Sequence, residues 1–302
     1  MRTAAIGAVA ALALALAASA ATAQRDYAKV EIEATRLGES TYMLTGAGGN
    51  MGLSVGEDAV FLIDDQFAPL TDRINAAIAK ITPKPVRFVL NTHWHFDHTG
   101  GNENYGKAGA LIVAHENVRK RMSTDQFIES MKRSVPASPP AALPVVTFTD
   151  GVNFHLNGEE IRAMHVARAH TDGDTIVHFL KSDVVHMGDV FFNEMYPFID
   201  LSSGGGIRGT LAACDKVLAI AGPKTQVIPG HGPLTDRAGL QAYRDMLAGV
   251  LSRIEPLVRE GRRVEEIVAA KPTAPFDEKW GKGFIKPDRF AETVAADLLK
   301  SR

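Results

Sequence analysis

Only one cysteine, Cys214, stands in the 302 residues. An internal disulfide is therefore excluded, and so is a zinc cage built from thiolates. Charge of one sign is also missing. Lys and Arg number 33 against 35 Asp and Glu, a net of −2 with no basic run, so there is no electrostatic footprint for nucleic acid. Collagen-like and heptad repeats are absent, and at 45% hydrophobic residues the chain is too apolar to be disordered. The apolar run at residues 4–18 falls short of the ~20 residues a spanning helix needs. What remains is ordinary globular composition.

That apolar run belongs to a leader. Arg2 supplies a positive start, and the small-residue pattern Ala21-Thr22-Ala23 closes the segment. Residues 1–23 read as a secretory signal peptide cut after Ala23, with no stable membrane insertion afterwards. An exported protein with a lone thiol suits a bacterial periplasm. Residues 24–302 read as a single domain with a helical C-terminal segment from about 235.

Residues 41–44, 51–55 and 59–63 read as strands split by glycine-rich turns. Leu70, Ile74, Ala77, Ile78 and Ile81 fall at helical spacing, and that helix stops before Pro83. Residues 86–90 and 110–114 are further strands, 116–134 a polar helix, and the proline-rich stretch 135–144 a connector. Strands follow at 145–148, 152–156, 159–166, 175–180, 184–187 and 226–228, with a helix around 209–220. Leu240, Tyr243, Leu247, Val250 and Ile254 make an apolar helical stripe up to Pro256, and 263–301 reads as more helix. Strand-rich halves each followed by helix imply a layered α/β domain.

The chemistry concentrates at Asn91-Thr92-His93-Trp94-His95-Phe96-Asp97-His98. His93 and His95 alternate by two, so an extended backbone points both the same way. Asp97 and His98 follow where the chain turns and can face a second point nearby. One loop can thus offer two ligands to each of two adjacent metal ions. Other metal-type residues also follow apolar runs: His170 after 159–166, Asp189 after 184–187 and His231 after 226–228. Strand ends along one sheet edge can bring such groups together, and glycines beside Asp189 and His231 let the backbone turn sharply.

With these residues the chain resembles the metallo-β-lactamase superfamily. Its signature His-x-His-x-Asp-His stands at His93–His98, and its later His, Asp and His match His170, Asp189 and His231 in chain order. The resemblance covers roughly residues 40–235. It implies a four-layer αββα sandwich with a dinuclear site at one edge of the sheets. One metal would take His93, His95 and His170, the other Asp97, His98 and His231, with Asp189 bridging. Two Zn²⁺ are implied, and the carboxylate at 189 leaves iron or manganese open. Zinc-bound water has a pKa lowered toward ~7 and would attack a carbonyl. Asp97 is the candidate catalytic residue that orients the nucleophile or hands on its proton.

The family's specialised lactamases carry cysteine or serine where Asp189 stands. The aspartate resembles its hydrolases of thioesters, lactones and phosphodiesters. Flavodi-iron members put a glutamate where His95 stands, and RNA-processing members need a basic surface; neither feature is present. Glyoxalase II members bind glutathione through a helical domain, for which the tail 235–302 carries no evident anion-binding motif. The expected function is a periplasmic dizinc hydrolase of cyclic amides or esters acting on a small molecule, with β-lactams the leading substrate. A lactonase or thioesterase stands as the alternative, as does a non-hydrolytic iron-binding accessory or redox protein.

No lysine or arginine directly follows Asp189 to hold a substrate carboxylate, and Arg168 and Arg208 are the nearest cations to ligand segments. Phe191, Phe192 and Tyr196 are candidate substrate-binding residues of an aromatic wall. The loop 46–52 lies where the family often carries a flap. Trp94 and Phe96 are expected to anchor the ligand loop. His155, His165, His178 and His186 read as structural strand residues, His115 is not counted as a ligand, and Cys214 reads as the buried face of a helix.

Overall fold

The computed structural model describes residues 26–300. The expected signal peptide, residues 1–23, lies outside the described residues. The first half of the chain runs β1 (Glu33–Arg36), β2 (Thr41–Thr45), β3 (Met51–Val55), β4 (Val60–Ile63), α1 (Thr71–Ala79), β5 (Val86–Asn91), α2 (Phe96–Thr99), α3 (Asn102–Lys107), β6 (Leu111–His115) and α4 (Glu116–Met122). A hairpin of β7 (Gln126–Ile128) and β8 (Arg133–Val135) precedes β9 (Val146–Phe148). The second half runs β10 (Gly151–Leu156), β11 (Glu159–His165), β12 (Thr175–Phe179), β13 (Val184–His186), α5 (Ile207–Ile220), β14 (Gln226–Ile228) and β15 (Thr235–Asp236). It ends in α6 (Arg237–Arg259), α7 (Val264–Ala269), α8 (Asp277–Trp280) and α9 (Pro287–Lys300).

Two sheets result, in the orders β1-β2-β3-β4-β5-β6-β9 and β10-β11-β12-β13-β14-β15. The pairing β4·β5·β6·β9 is parallel, as is β13·β14, and the other pairs are antiparallel. Strand alternation builds the layers. Phe61 and Ile63 face Val177, Phe179, Val184 and Ile228 between the sheets, while Val60 and Leu62 face Ile74 and Ile78 of α1. In the second sheet Ile176 and Val185 turn outward onto Val217, Tyr243, Leu247 and Val294 of the helices. Successive side chains of a strand point to opposite faces, so each half-buried helix finds an apolar surface. The molecule is thus an αββα sandwich with three apolar layers.

Two expected elements differ. The reading of 116–134 as one helix does not hold, because α4 ends at Met122 and the chain turns into the β7–β8 hairpin. Ile128 is buried there, and Met131 and Val135 pack against the same core, although their i, i+3, i+7 spacing imitates a helical stripe. Lys132 closes the turn with φ 48°. Helix α6 does not stop before Pro256 but continues to Arg259. Pro256 lacks an N–H, so the carbonyl of exposed Ser252 gives up its helix bond, while buried Val258 holds the last turn. Strand β1 lies before the first strand read from the sequence. Among the described residues no helix is long and apolar enough to cross a membrane.

Candidate metal centre

Strand β5 delivers the histidine loop. Its last residue, Asn91, exchanges amide hydrogen bonds of 3.0 and 2.9 Å with Asn102 of α3. Thr92 then donates from its backbone N–H and its hydroxyl to Asp64, at 2.8 and 2.7 Å. Held at both points, the loop stays extended through His93 and His95 before α2 turns Asp97 and His98 the other way. His170 follows β11, Asp189 follows β13 and His231 follows β14. Ligand-type atoms of His93, His95, His170 and Asp189 lie within 4.8 Å of one another, and so do those of Asp97, His98 and His231.

Asp189 divides its oxygens between the two groups. Oδ2 is 3.8 Å from His93 Nε2 and 3.5 Å from His170 Nε2. Oδ1 is 3.1 Å from His98 Nε2 and 3.4 Å from His231 Nε2. Asp97 Oδ2 stands 3.3 Å from His231 Nε2 and 3.8 Å from His98 Nε2. All seven expected ligands are therefore brought together in the two expected groups.

Most of these rings are gripped from behind. His98 Nδ1 donates to Asp64 at 2.8 Å, His95 Nε2 to Asp200 at 3.0 Å, and His170 Nδ1 to the Phe198 carbonyl at 2.7 Å. These acceptors fix the tautomers and aim the other nitrogen inward. Asp200 is held in turn by the backbone N–H and hydroxyl groups of Ser202 and Ser203.

The arrangement fits bound cations. His170 Nε2 and His95 Nδ1 stand 2.8 Å apart, yet both far-side nitrogens donate to acceptors, so two lone pairs face each other. His93 Nε2, His98 Nε2 and Asp189 Oδ1 are buried without a hydrogen-bond partner. Buried polar atoms are normally satisfied, and a cation in each group would satisfy these. Imidazole and carboxylate donors suit zinc, iron or manganese.

The two groups differ in charge. Burial drives the pKa of His93 well below its ordinary value and that of His170 down to about 4, so both stay neutral. Burial also opposes charge on His98 and His231, but carboxylates prevail there. Asp189, Asp97 and Asp64 hold His98 well above its ordinary value, and Asp189 and Asp97 lift His231 to about 9. Asp97 falls to about 2: burial raises it, and His98 and His231 outweigh that. The side chains of His231 and Asp97 are 27% and 21% exposed against 4% or less for the other ligands, so the site opens at this end.

A family model for the metallo-β-lactamase superfamily matches residues 44–245. The chain belongs to the metallo-β-lactamase superfamily. An uncharacterized protein of Mycobacterium tuberculosis is similar, with 26% identity over 206 residues, 65% of this chain and 89% of that one. A hydroxyacylglutathione hydrolase of Polaromonas sp. is 28% identical over 54% of this chain and 55% of its own. Among solved structures of the superfamily fold, a metallo-β-lactamase from Pontibacter korlensis superposes with a TM-score of 0.59 at 19% identity, covering 72% of this chain and 99% of that one. A sec-alkylsulfatase from Pseudomonas sp. gives 0.66 at 17%, covering 87% and 50%.

Not every expected site residue faces this metallo-β-lactamase-type centre. Phe192 does, stacked on His231 at 5.2 Å. The structure corrects Phe191 and Tyr196: Phe191 packs on Tyr243, and Tyr196 stacks on Phe290 with its hydroxyl on Asp277. Phe198 instead lies 5.7 Å from His95. Arg208 pairs with Glu255, and Arg168 is exposed. The loop 46–52 is a hairpin turn tied to the site, since Gly49 N–H donates to the Asp97 carbonyl at 3.2 Å. Trp94 is buried with its indole N–H on Ser203. His115 caps α4 and stacks on His165 at 3.8 Å; His186 bonds Asn50 O; His155 is exposed and His178 half-buried. Cys214 is buried in α5.

Asp64, Asp200 and Asp174 were not visible as site residues. Asp64 follows the apolar run 59–63 as the ligands follow theirs, so the same rule points to it. Asp200 and Asp174 carry no such signal. Asp174 braces the turn after His170 by accepting the Thr171 N–H at 2.8 Å, and burial raises its pKa to about 7.

Proposed function

We propose that the protein is a periplasmic dizinc hydrolase that opens cyclic amides or esters of small molecules, with β-lactams the leading substrate. The observation that carries this reading is Asp189, whose two oxygens serve two adjacent ligand groups. His93, His95 and His170 would hold one ion and Asp97, His98 and His231 the other. When bound, such ions supply Lewis acidity and acidify water at the site.

The chain's own groups do the rest. Asp97 is ionised at neutral pH and lies at the open end, where its carboxylate would orient the attacking water. Phe192, stacked on His231, gives the open end apolar surface. Replacing Asp97 with Asn should cut turnover about a hundredfold or more while substrate affinity changes far less; turnover that survives intact would remove Asp97 from the catalytic role. A second reading, a lactonase or thioesterase, draws support from the carboxylate at 189 and from the similarity to a hydroxyacylglutathione hydrolase.

The test is elemental analysis of the purified protein together with a chromogenic β-lactam and a lactone and thioester panel, each with and without chelator. Two zinc per chain and chelator-sensitive β-lactam turnover are expected. Activity confined to lactones or thioesters selects the second reading. Full activity after every ion has been stripped overturns both.

A further inference from the structure

The ring of His231 is held differently from the other imidazoles. His98, His95 and His170 each give their far-side N–H to an acceptor, and His93 Nδ1 lies 3.1 Å from the Thr92 hydroxyl. His231 meets Asp97 and Asp189 through Nε2, and among the described residues no group hydrogen-bonds its Nδ1. Its aim therefore depends on the backbone that carries it. That backbone, Pro229-Gly230-His231-Gly232-Pro233, joins β14 to β15 and is irregular apart from one bridge to Phe192. Each of its carbonyls nevertheless has a donor, and the donors come from two asparagines. Asn50 donates from its backbone N–H to Gly230 at 2.7 Å, and from Nδ2 to Pro229 and Gly232, both at 2.9 Å. Asn193 donates from its backbone N–H to His231 and from Nδ2 to Pro233, both at 2.9 Å. Both side chains are buried. Asn50 precedes β3 and Asn193 follows β13, so the loop is gripped from both halves of the chain.

We infer that Asn50 and Asn193 form a clamp that positions His231 for the second ion, in place of an acceptor behind its ring, with Asn50 the principal positioning residue. A primary amide suits the task because its nitrogen carries two N–H groups. Asn50 spends one on the carbonyl before Gly230-His231 and one on the carbonyl after it, which neither a carboxylate nor a hydroxyl can do. The loop bends to present those carbonyls: Gly232 sits at φ 98°, and a Cβ there would run into the Asn193 carbonyl. Asn50 is fixed in turn. Its own carbonyl accepts the Nε2–H of His186 at 3.0 Å, and His186 Nδ1 accepts the N–H of Gly188 beside Asp189 at 3.1 Å. The preceding residue, Gly49, gives its N–H to the Asp97 carbonyl. Residues 49 and 50 thus tie together the backbone at Asp97, beside the bridging Asp189 and around His231. Among the described residues neither bonds His170 or the His93–His95 stretch, so the clamp acts on one ion of the two.

This inference rests on the two-cation reading, and the test separates the two. Zinc affinity is measured one equivalent at a time, by competition with a chromophoric chelator. Asn50→Ala should weaken the second zinc about tenfold or more and leave the first unchanged. Asn50→Asp, equal in size but with no donor to offer the two carbonyls, should do no better than alanine. Asn193→Ala keeps its backbone bond to His231 and loses only the one to Pro233, so it should cost less; it carries the measurement if Asn50→Ala does not fold. A double-mutant cycle identifies the route. His231→Ala removes the ligand itself, and adding Asn50→Ala to it should then cost the second zinc little more, because a positioning residue has nothing left to position. A second zinc held as tightly in the asparagine variants as in the parent overturns the clamp. Equal weakening of both ions overturns it too, as do losses that simply add in the double variant. A parent chain that binds no second zinc overturns the dizinc reading and the clamp with it.

Discussion

At the scale of single residues, the seven candidate ligands depend on groups set behind them. Asp64 and Asp200 each turn one imidazole by accepting its far-side N–H. Loss of such a partner weakens metal binding roughly 10- to 100-fold. Asp200→Ala should therefore lose affinity for one equivalent of zinc and Asp64→Ala for the other, read by competition with a chromophoric chelator. If both variants hold two zinc ions as tightly as the parent, the supports are not working through the rings. Gly49 has a different role. A Cβ there would overlap the His98 imidazole, so Gly49→Ala should retain the first ion and release the second.

Protons make the two ligand groups distinguishable. His93 and His170 are neutral at pH 7, whereas His98 and His231 keep their protons in the metal-free chain, His231 up to about pH 9. A raised folded-state pKa contributes stability that is full below the unfolded value near 6.5 and lost as pH rises through about 9. An ion entering the second group must displace those protons. The second zinc should thus tighten more steeply than the first between pH 6 and 8, with proton release, measured by calorimetry in buffers of different ionisation heat. Identical pH slopes for the two ions would contradict this assignment. The cluster was legible because its members are metal-type residues just past apolar runs. Asp200 was not, since it meets His95 from 105 residues away, a proximity only the fold creates. Phe191 and Tyr196 were misread because an aromatic run looks the same whether it lines a pocket or a core.

At the scale of elements, strands were read more reliably than helix limits. Runs such as Met51–Val55 and Gln226–Ile228 are bounded by glycine or proline and need no distant partner to be recognised. Helix α6 runs past its proline because Val258 gains more from burial than the turn loses. Pro256→Ala should restore the bond to Ser252 and raise stability by about 1 kcal/mol or more, against the ~3 kcal/mol that proline costs deep in a helix. Denaturant unfolding measures it; a midpoint unchanged or lowered would mean that the proline ring's own packing outweighs the missing bond. The β7–β8 hairpin escaped notice because its polar residues show no clean period. Its one fully buried side chain, Ile128, becomes informative only once the core beneath it exists.

At the scale of the whole molecule, the centre and the core are built from different residues. The three apolar layers close over Phe61, Phe179, Tyr243 and Leu62 without help from any ligand, and the histidine loop is pinned to them by Asn91, Asn102 and Asp64. Removing the ions therefore leaves the layers standing and exposes only the local conflict, His170 against His95 with their lone pairs opposed. That conflict, and the lost binding energy, fall on the native state alone. An ion at a thousand times its Kd stabilises by about 4 kcal/mol. For a chain of this size that is a melting shift on the order of 10 °C. Chelated protein should keep its far-UV circular dichroism, lose all turnover, and melt earlier by about that amount, with zinc restoring both. Collapse of the far-UV signal on chelation would make the metal part of the fold itself. An unmoved melting temperature would mean that no ion sat among these side chains to begin with.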